Sequence, residues 1–386
     1  MHFDLADEQR MVQETARRFA LEEIAPTLAE EERAHAFKPE RVAKMGELGF
    51  FGCALPDDLG GNGLGFFESV LMAEQVAKVS ASWRLPFNMQ NLGPALTVAK
   101  FGTAAQKAKY IPGWVAGTQL GFFAMTEPNT GSDVASMKTH AIDKGDHWEV
   151  HGSKMWISQA HVGHAGLLYA YTDRSAGNRG ITAFIIEPKT WAGVSARPIE
   201  TKLGLHCAPT GEFVFDGMKV PKENVLGQPG DGFRICMWQL NQTRLGCAAG
   251  ALGVAGGALD LAIDYANGRT QFGKPIAQHQ MIQAQIADMV VEHQAAQMLV
   301  YRAAWLKDQG RPSQYETSVA KLAASEAAVH AANECMKIFG SYGYSTEYPA
   351  ERFYRDAKSL QIVEGTSNIQ RIIISGMATG ATPNRE

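Results

Sequence analysis

Four segments of this chain hold residue types that can do chemistry. In RFYRDAKSLQIVEGTSNIQR, Arg352 to Arg371, Glu364 stands in an apolar stretch just before Gly365 and Thr366. A carboxylate in apolar surroundings has a raised proton affinity and suits general-base work, although an acid at a helix start is also explained by the helix dipole. In AMTEPNTGSD, Ala124 to Asp133, a strand gives way to a loop of glycine and hydroxyl residues. Its N–H and O–H groups can receive a phosphate or a heteroaromatic edge, or simply decorate a surface turn. GSKMWISQA, Gly152 to Ala160, sets Trp156 and Ser158 on one side of a strand by period two. A flat indole beside a hydroxyl can support a planar ligand, and can equally be a core Trp with an edge Ser. RTQFGKPIAQHQ, Arg269 to Gln280, gathers a cation, an aromatic ring and amide donors between two helices, a set able to clamp a pyrophosphate.

Other chemistries lack their residues. There is no GxxxxGK[ST], GxSxG or HExxH. His161 and His164 sit in a Gly- and Ala-rich turn without a further ligand nearby, so no metal is expected. Gly61, Gly63 and Gly65 follow no strand, as a dinucleotide fingerprint requires. Lys+Arg 36 against Asp+Glu 40 leaves a net charge of -4, with no overall basic field for nucleic acid or an anionic membrane. The five cysteines, Cys53, Cys207, Cys236, Cys247 and Cys335, are odd in number, scattered and without CxxC spacing, which favours a reducing compartment. With the charged opening MHFDLADEQR, the expectation is a cytoplasmic protein. The most apolar run, Gly246 to Ala266, is rich in Gly and Ala and interrupted by Asp260 and Asp264, so it reads as a tightly packed internal helix rather than a membrane span.

The elements that must position these residues follow from the periodicity. The 386 residues, 45% hydrophobic and 20% charged, predict a globular protein of two or three domains. To about residue 118 the period is helical. WEVHGSKMWI, GLLYAYTD, GITAFIIEP and GEFVFDGMKV are then short β-rich runs between Gly, Asn and Asp turns, a compact antiparallel β-domain bounded by Pro221 to Gly232. The helical period returns, with Ile282, Ile286, Met289, His293, Ala296, Val300 and Ala303 on one face of a long helix, and the tail after Gly380 is expected to fray. The fold class is α+β, in the order α, β, α.

On this plan and in this order, the four segments resemble the acyl-CoA dehydrogenase family of flavoproteins over essentially the whole chain. The resemblance implies a helical N-terminal domain (1–119), a central antiparallel β-barrel (120–228) and a C-terminal four-helix bundle (229–386), assembled as a homotetramer of two dimers. It implies FAD, with Phe123, Met125, Thr126, Gly131 and Ser132 lining the flavin and pyrophosphate and Trp156 and Ser158 beside the isoalloxazine ring. Arg269, Gln271, Phe272, His279 and Gln280 would contact the FAD of a partner subunit. So would Lys337 and Ser341, which stand where the family often has Gln and Gly, while Thr366 and Asn368 match flavin-contact positions. Glu364 would be the base that takes the α-proton of an acyl-CoA thioester while the β-hydride passes to flavin N5. The developing enolate oxygen would be held by the base's own N–H and a ribityl hydroxyl. Arg244 would face the substrate channel, with Ser132 also on the substrate, and electron-transferring flavoprotein would reoxidise the flavin.

Within the family, SASWRLPFNMQN resembles the glutaryl-CoA dehydrogenase group, in which an Arg pairs with the distal carboxylate of the substrate. That implies Arg84, with Asn88, as substrate-binding residues. A guanidinium buried at the end of an acyl pocket is costly without an anion, so it selects a dicarboxylic mono-thioester. Decarboxylating members have a Glu seven residues before this Arg and a Tyr before the base; here these are Ala77 and Val363, implying oxidation without decarboxylation. The alternatives are an ordinary short-chain dehydrogenase, an oxygen-reactive oxidase on the same fold, and a non-enzymatic acyl-CoA-binding flavoprotein, against which Glu364-Gly365-Thr366 argues.

Overall fold

Seven helices come first in the computed structural model, which describes residues 4–381. They are α1 (Asp7–Phe19), α2 (Leu28–Ala34), α3 (Pro39–Glu47), α4 (Phe66–Val79), α5 (Ala81–Leu92), α6 (Pro94–Phe101) and α7 (Ala104–Val115). Local chemistry sets their ends. Asp7 and Glu8 open α1 and Arg17 and Arg18 close it, complementing the dipole. The Ser80 hydroxyl caps α5 by accepting from the Trp83 N–H, and Thr103 with Gln106 forms a capping box on α7. Every residue of α5 is buried.

The strands β1 (Gly121–Ala124), β2 (His140–Asp143), β3 (His147–Ser158), β4 (Ala165–Tyr171), β5 (Ile181–Ile186), β6 (Val194–Pro198), β7 (Thr210–Pro221) and β8 (Val225–Leu226) form one sheet. Its order is β6-β7-β3-β2-β4-β5-β8, with β1 beside β4. The expected closed antiparallel barrel is therefore corrected to an open, mixed sheet. β1, arriving straight from the helices, and β2 both run parallel to β4. The short edge strands β6 and β8 do not pair with each other. β4 and β5 are buried on both faces: Leu167, Tyr169 and Ile185 pack toward the helices, Leu168 and Phe184 toward Phe122 and Phe213.

The chain ends in α8 (Gly232–Gly268), a hairpin of β9 (Thr270–Gln271) and β10 (Lys274–Pro275), α9 (Gln280–Asp308), α10 (Gln314–Phe339), α11 (Ala350–Leu360) and α12 (Ser367–Ala378). The expected four-helix bundle is thus three long helices with two shorter ones among the described residues. On α9, Met289, Ala296, Val300 and Ala303 are buried as expected, and Ile282, Ile286 and His293 are half-buried. Apart from Ala381, the tail expected to fray lies outside the described residues.

By length and composition α8 could cross a membrane, yet 83% of its most apolar 18-residue window is buried inside the protein. Glycines make this possible. A Cβ at Gly246 would lie 1.8 Å from Asn88 Oδ1, at Gly250 2.5 Å from Arg84 Nε, at Gly253 2.3 Å from the Glu74 carbonyl oxygen and at Gly257 2.4 Å from that of Lys78. These glycines recur every three or four residues, so α4 and α5 lie directly on one bare face of α8. Each costs about 1 kcal/mol of helix propensity against Ala. One continuous core joins α4 and α5 through α8 to α10.

Candidate active site

Glu364 lies between α11 and α12, whose first turn the Thr366 hydroxyl caps at the Ile369 N–H (3.2 Å). Glu364 (φ +59°) and Gly365 (φ +87°) are both left-handed. For a glutamate that costs on the order of 1–3 kcal/mol, and four hydrogen bonds hold it. Arg244 Nε (3.1 Å) and Gln370 Nε2 (3.3 Å) donate to the Glu364 carbonyl. Lys321 Nζ (2.8 Å) and Gln370 Nε2 (2.9 Å) donate to that of Gly365. The half-buried Glu364 side chain accepts at Oε2 from the Thr243 hydroxyl (2.7 Å). Burial raises its proton affinity above the usual carboxylate range, and the Thr243 hydrogen bond and the charges of Arg244, Arg84 and Lys321 oppose this only in part. Such a group is suited to accept a proton.

Sequence reasoning missed Thr243 and Lys321. Thr243 directly precedes the expected Arg244, and Lys321 is a lone cation among Val319, Ala320, Leu322, Ala323 and Ala324, which is a readable signal.

Arg84 and Asn88, one turn apart on α5, face Gly250 and Gly246 of α8. Arg84 is 2% exposed, its Nε and Nη2 are buried without a hydrogen-bond partner, and no carboxylate among the described residues forms an ion pair with it. A buried guanidinium with free donors is chemically a receptor for an anion. Asn88 Nδ2 donates to the Thr243 carbonyl (3.2 Å), bracing the residue that bonds the base, and its Oδ1 has no partner.

The loop after β1 is pinned by a second pair that sequence reasoning missed. Lys154, fully buried on β3, donates to the Met125 carbonyl and to Glu127 Oε1, both at 2.9 Å. Glu127 also accepts from the N–H groups of Lys138 (2.6 Å) and Thr139 (2.9 Å). Burial pulls Lys154 down to about 8 against the opposing Glu127 charge. Burial works to raise Glu127, but the Lys154 charge and the hydrogen bonds prevail and hold it below the usual range. The Met155 N–H donates to the Thr126 carbonyl (2.9 Å), tying the loop to β3.

Beside that tie the expected strand alternation fails. The register slips between Lys154 and Ile157, Trp156 takes φ +62°, and its indole is 53% exposed rather than sharing a regular face with half-buried Ser158. Phe123 and Thr126 are half-buried and Gly131 and Ser132 exposed, with open space at Gly131. Met125 is buried, and its sulfur lies 3.3 Å from Cys236 Sγ, so the side chain docks the loop on α8.

Arg269, Gln271, Phe272 and Gln280 are exposed, Phe272 at 94% with φ +51°. His279 is half-buried, its Nε2 3.2 Å from the Gln271 carbonyl oxygen. Arg269, Gln271, Phe272, His279 and Ser341 line an open groove of about 530 Å³. Lys337 does not line it, because Glu334 takes its ammonium at 2.8 and 2.9 Å. Thr366 is half-buried and Asn368 exposed. Of the six described non-glycine residues with positive φ, three, Trp156, Phe272 and Glu364, are expected site residues, the distribution that stored backbone strain at functional positions produces. An open loop of hydroxyl and N–H groups on a rigid ionic clamp, with an exposed indole beside it, fits a flavin dinucleotide.

Models of the N-terminal, middle and C-terminal domains of acyl-CoA dehydrogenase match residues 6–118, 122–218 and 230–378. Glutaryl-CoA dehydrogenase of Desulfococcus multivorans is 47% identical over 379 residues, 97% of each chain. The mitochondrial short-chain specific acyl-CoA dehydrogenase of Mus musculus is 41% identical over 97% of this chain and 90% of its own. Among solved structures, a glutaryl-coenzyme A dehydrogenase in its glutaryl-CoA complex matches with a TM-score of 0.98 at 46% identity, covering 100% of this chain and 98% of that one.

Proposed function

This chain belongs to the acyl-CoA dehydrogenase family of FAD-dependent oxidoreductases, and within it we propose that the substrate is the coenzyme A mono-thioester of a short dicarboxylic acid, glutaryl-CoA or a close analogue. Arg84 carries this reading. A plain alkyl chain would leave its two buried nitrogens unpaired, whereas a distal carboxylate satisfies both.

Bound FAD supplies the acceptor for the hydride that leaves the β-carbon. Glu364 takes the α-proton, its basicity raised by burial, and the Thr243 hydroxyl with the neighbouring cations favours its carboxylate form. The Glu364 N–H, in a turn fixed by Arg244, Gln370 and Lys321, donates to the thioester oxygen as charge develops there. Phe123, Thr126, Gly131, Ser132, Trp156, Ser158, Thr366 and Asn368 hold the cofactor.

The hairpin residues Arg269, Gln271, Phe272, His279 and Gln280, with Ser341, serve the FAD of a second copy. Cys236, which touches the flavin loop at Met125, and Arg269 lie near opposite ends of α8, about 50 Å apart at the helical rise, too far for one dinucleotide to touch both within a chain. The assembly is a homotetramer of two dimers in the cytoplasm, and electron-transferring flavoprotein takes the electrons. Ala77 and Val363, both apolar, supply no polar group near the carboxylate or the base, so the product keeps its carboxylate.

Anaerobic titration tests the reading. Glutaryl-CoA should bleach the flavin and yield glutaconyl-CoA, with butyryl-CoA a far poorer substrate. Bleaching by butyryl-CoA alone would make this a short-chain dehydrogenase with a structural Arg84, and release of carbon dioxide with crotonyl-CoA would refute the retained carboxylate.

A further inference from the structure

We propose that Lys321 is a positioning residue for the base: its ammonium, reaching in from α10, holds the Glu364–Gly365 turn and places a fixed positive charge beside the Glu364 carboxylate. The inference rests on Glu364 being the base. Lys321 is fully buried, its Nζ donates to the Gly365 carbonyl at 2.8 Å, and no carboxylate among the described residues lies within ion-pair distance of it. Hydrogen-bond satisfaction does not require it, because Gln370 Nε2 already serves the same carbonyl at 2.9 Å. An ammonium buried without a counterion opposes folding. Stability therefore does not account for a lysine at this position, and its proximity to the base does.

The charged and titratable groups around Glu364 are Arg244, Cys236 and Cys247 from α8, Arg84 from α5 and Lys321 from α10, with the Thr243 hydroxyl bonded to it. Burial pushes both thiols up, so they are neutral at working pH. Lys321 itself faces Cys247, Glu364, Arg244 and Glu326, and burial holds it below the usual lysine range. Of the three cations, Arg244 is engaged by the Glu364 carbonyl. A diacid substrate would neutralise Arg84. Arg244 and Lys321, each donating to a carbonyl of the turn, are the cations whose effect on the base does not depend on which acyl group is bound.

Lys321→Met and Lys321→Arg, prepared as flavin-loaded enzyme, test this by stopped-flow flavin reduction across pH, with Glu364→Gln as control. Lys321→Met should keep its flavin, keep or raise its melting temperature, change KM by less than about 3-fold, and lower kcat by about 10- to 100-fold at neutral pH. Loss of the positive charge disfavours the carboxylate, so the acidic limb of kcat should move to higher pH by about half a unit or more, and Lys321→Arg should restore most of both. A wild-type rate and limb in Lys321→Met would overturn the proposal. So would a rate loss that merely tracks lost flavin and a lowered melting temperature. An active Glu364→Gln would instead overturn the assignment of the base.

Discussion

Replacing Arg84 by Met separates a ligand receptor from a structural cation, because the two roles predict opposite signs for stability. In the substrate-free protein the guanidinium is buried with two nitrogens unpaired and no carboxylate partner among the described residues. Methionine fills similar volume over Gly250 without charge, so removing the uncompensated cation should stabilise the protein, by about 1–4 kcal/mol on the scale of buried-charge replacements. The melting temperature should rise by a few degrees. Activity should move the other way. Losing one member of a buried charge pair with the substrate costs about 2–5 kcal/mol, which lowers kcat/KM for glutaryl-CoA by about 30- to several-thousand-fold at 1.4 kcal/mol per decade. Butyryl-CoA brings no anion, so its kcat/KM should be unchanged or improved. The assay is flavin reduction with both thioesters alongside thermal melts of the flavin-loaded, substrate-free enzyme. A lower melting temperature with equal losses on both substrates would refute the reasoning.

Two further substitutions probe protonation. Thr243→Val keeps the shape but removes the 2.7 Å hydrogen bond to Glu364 Oε2; a bond worth about 1 kcal/mol corresponds to roughly 0.7 of a pH unit, so the acidic limb of kcat should move upward by that much, and an unmoved limb contradicts the contact. Asp356 is fully buried, and burial, with the charge of Glu32, pushes its carboxyl up to about 7 while its Oδ1 accepts from the Leu205 N–H at 2.7 Å. Because the folded protein binds this proton more tightly than the unfolded chain, the stabilisation is complete below about pH 4 and lost as the pH rises toward 7. Asp356→Asn keeps the acceptor without the titration, so its melting temperature should fall less than that of the wild type over this range, and parallel curves would show that Asp356 is not the titrating group.

What the sequence could and could not foretell divides by the range of the interaction. Glu364 was legible because its apolar neighbours and the following Gly365 and Thr366 are adjacent in the chain, as was the close packing of α8. Thr243 meets Glu364 across 121 residues and Lys154 meets Glu127 across 27, pairings that no local pattern announces. The exposure of Trp156 arises from a register slip against β7, a property of two strands and not of one. The open sheet has the same origin: the four longest strands, β3, β4, β5 and β7, were readable, but parallel addition of β1 to β4 depends on where the helices deliver it. Met125 stands in a loop-like segment and still turns inward, because Cys236 of α8 receives it.

The glycines of α8 connect these separate observations. Cys236 meets Met125 in the loop after β1, Thr243 the Glu364 carboxylate, Gly246 the Asn88 side chain and Gly250 the Arg84 side chain, all along one unbroken helix. From Thr243 to Gly250 is about 10 Å at the helical rise. On the proposed reading, the spacing between the group that removes the α-proton and the group that receives the distal carboxylate is set by a rigid element, and acyl length is judged against it. For that spacing to hold, α5 must not slide along α8. Asn88 and Arg84, one turn apart, sit in notches at Gly246 and Gly250 that are also one turn apart, and a slide would drive both side chains into the helix backbone. Filling the Gly250 notch with a methyl group would therefore disturb substrate discrimination before it disturbed proton removal, since Thr243 and Arg244 bond Glu364 directly from α8 and the α5 brace on Thr243 is Asn88, at the other notch.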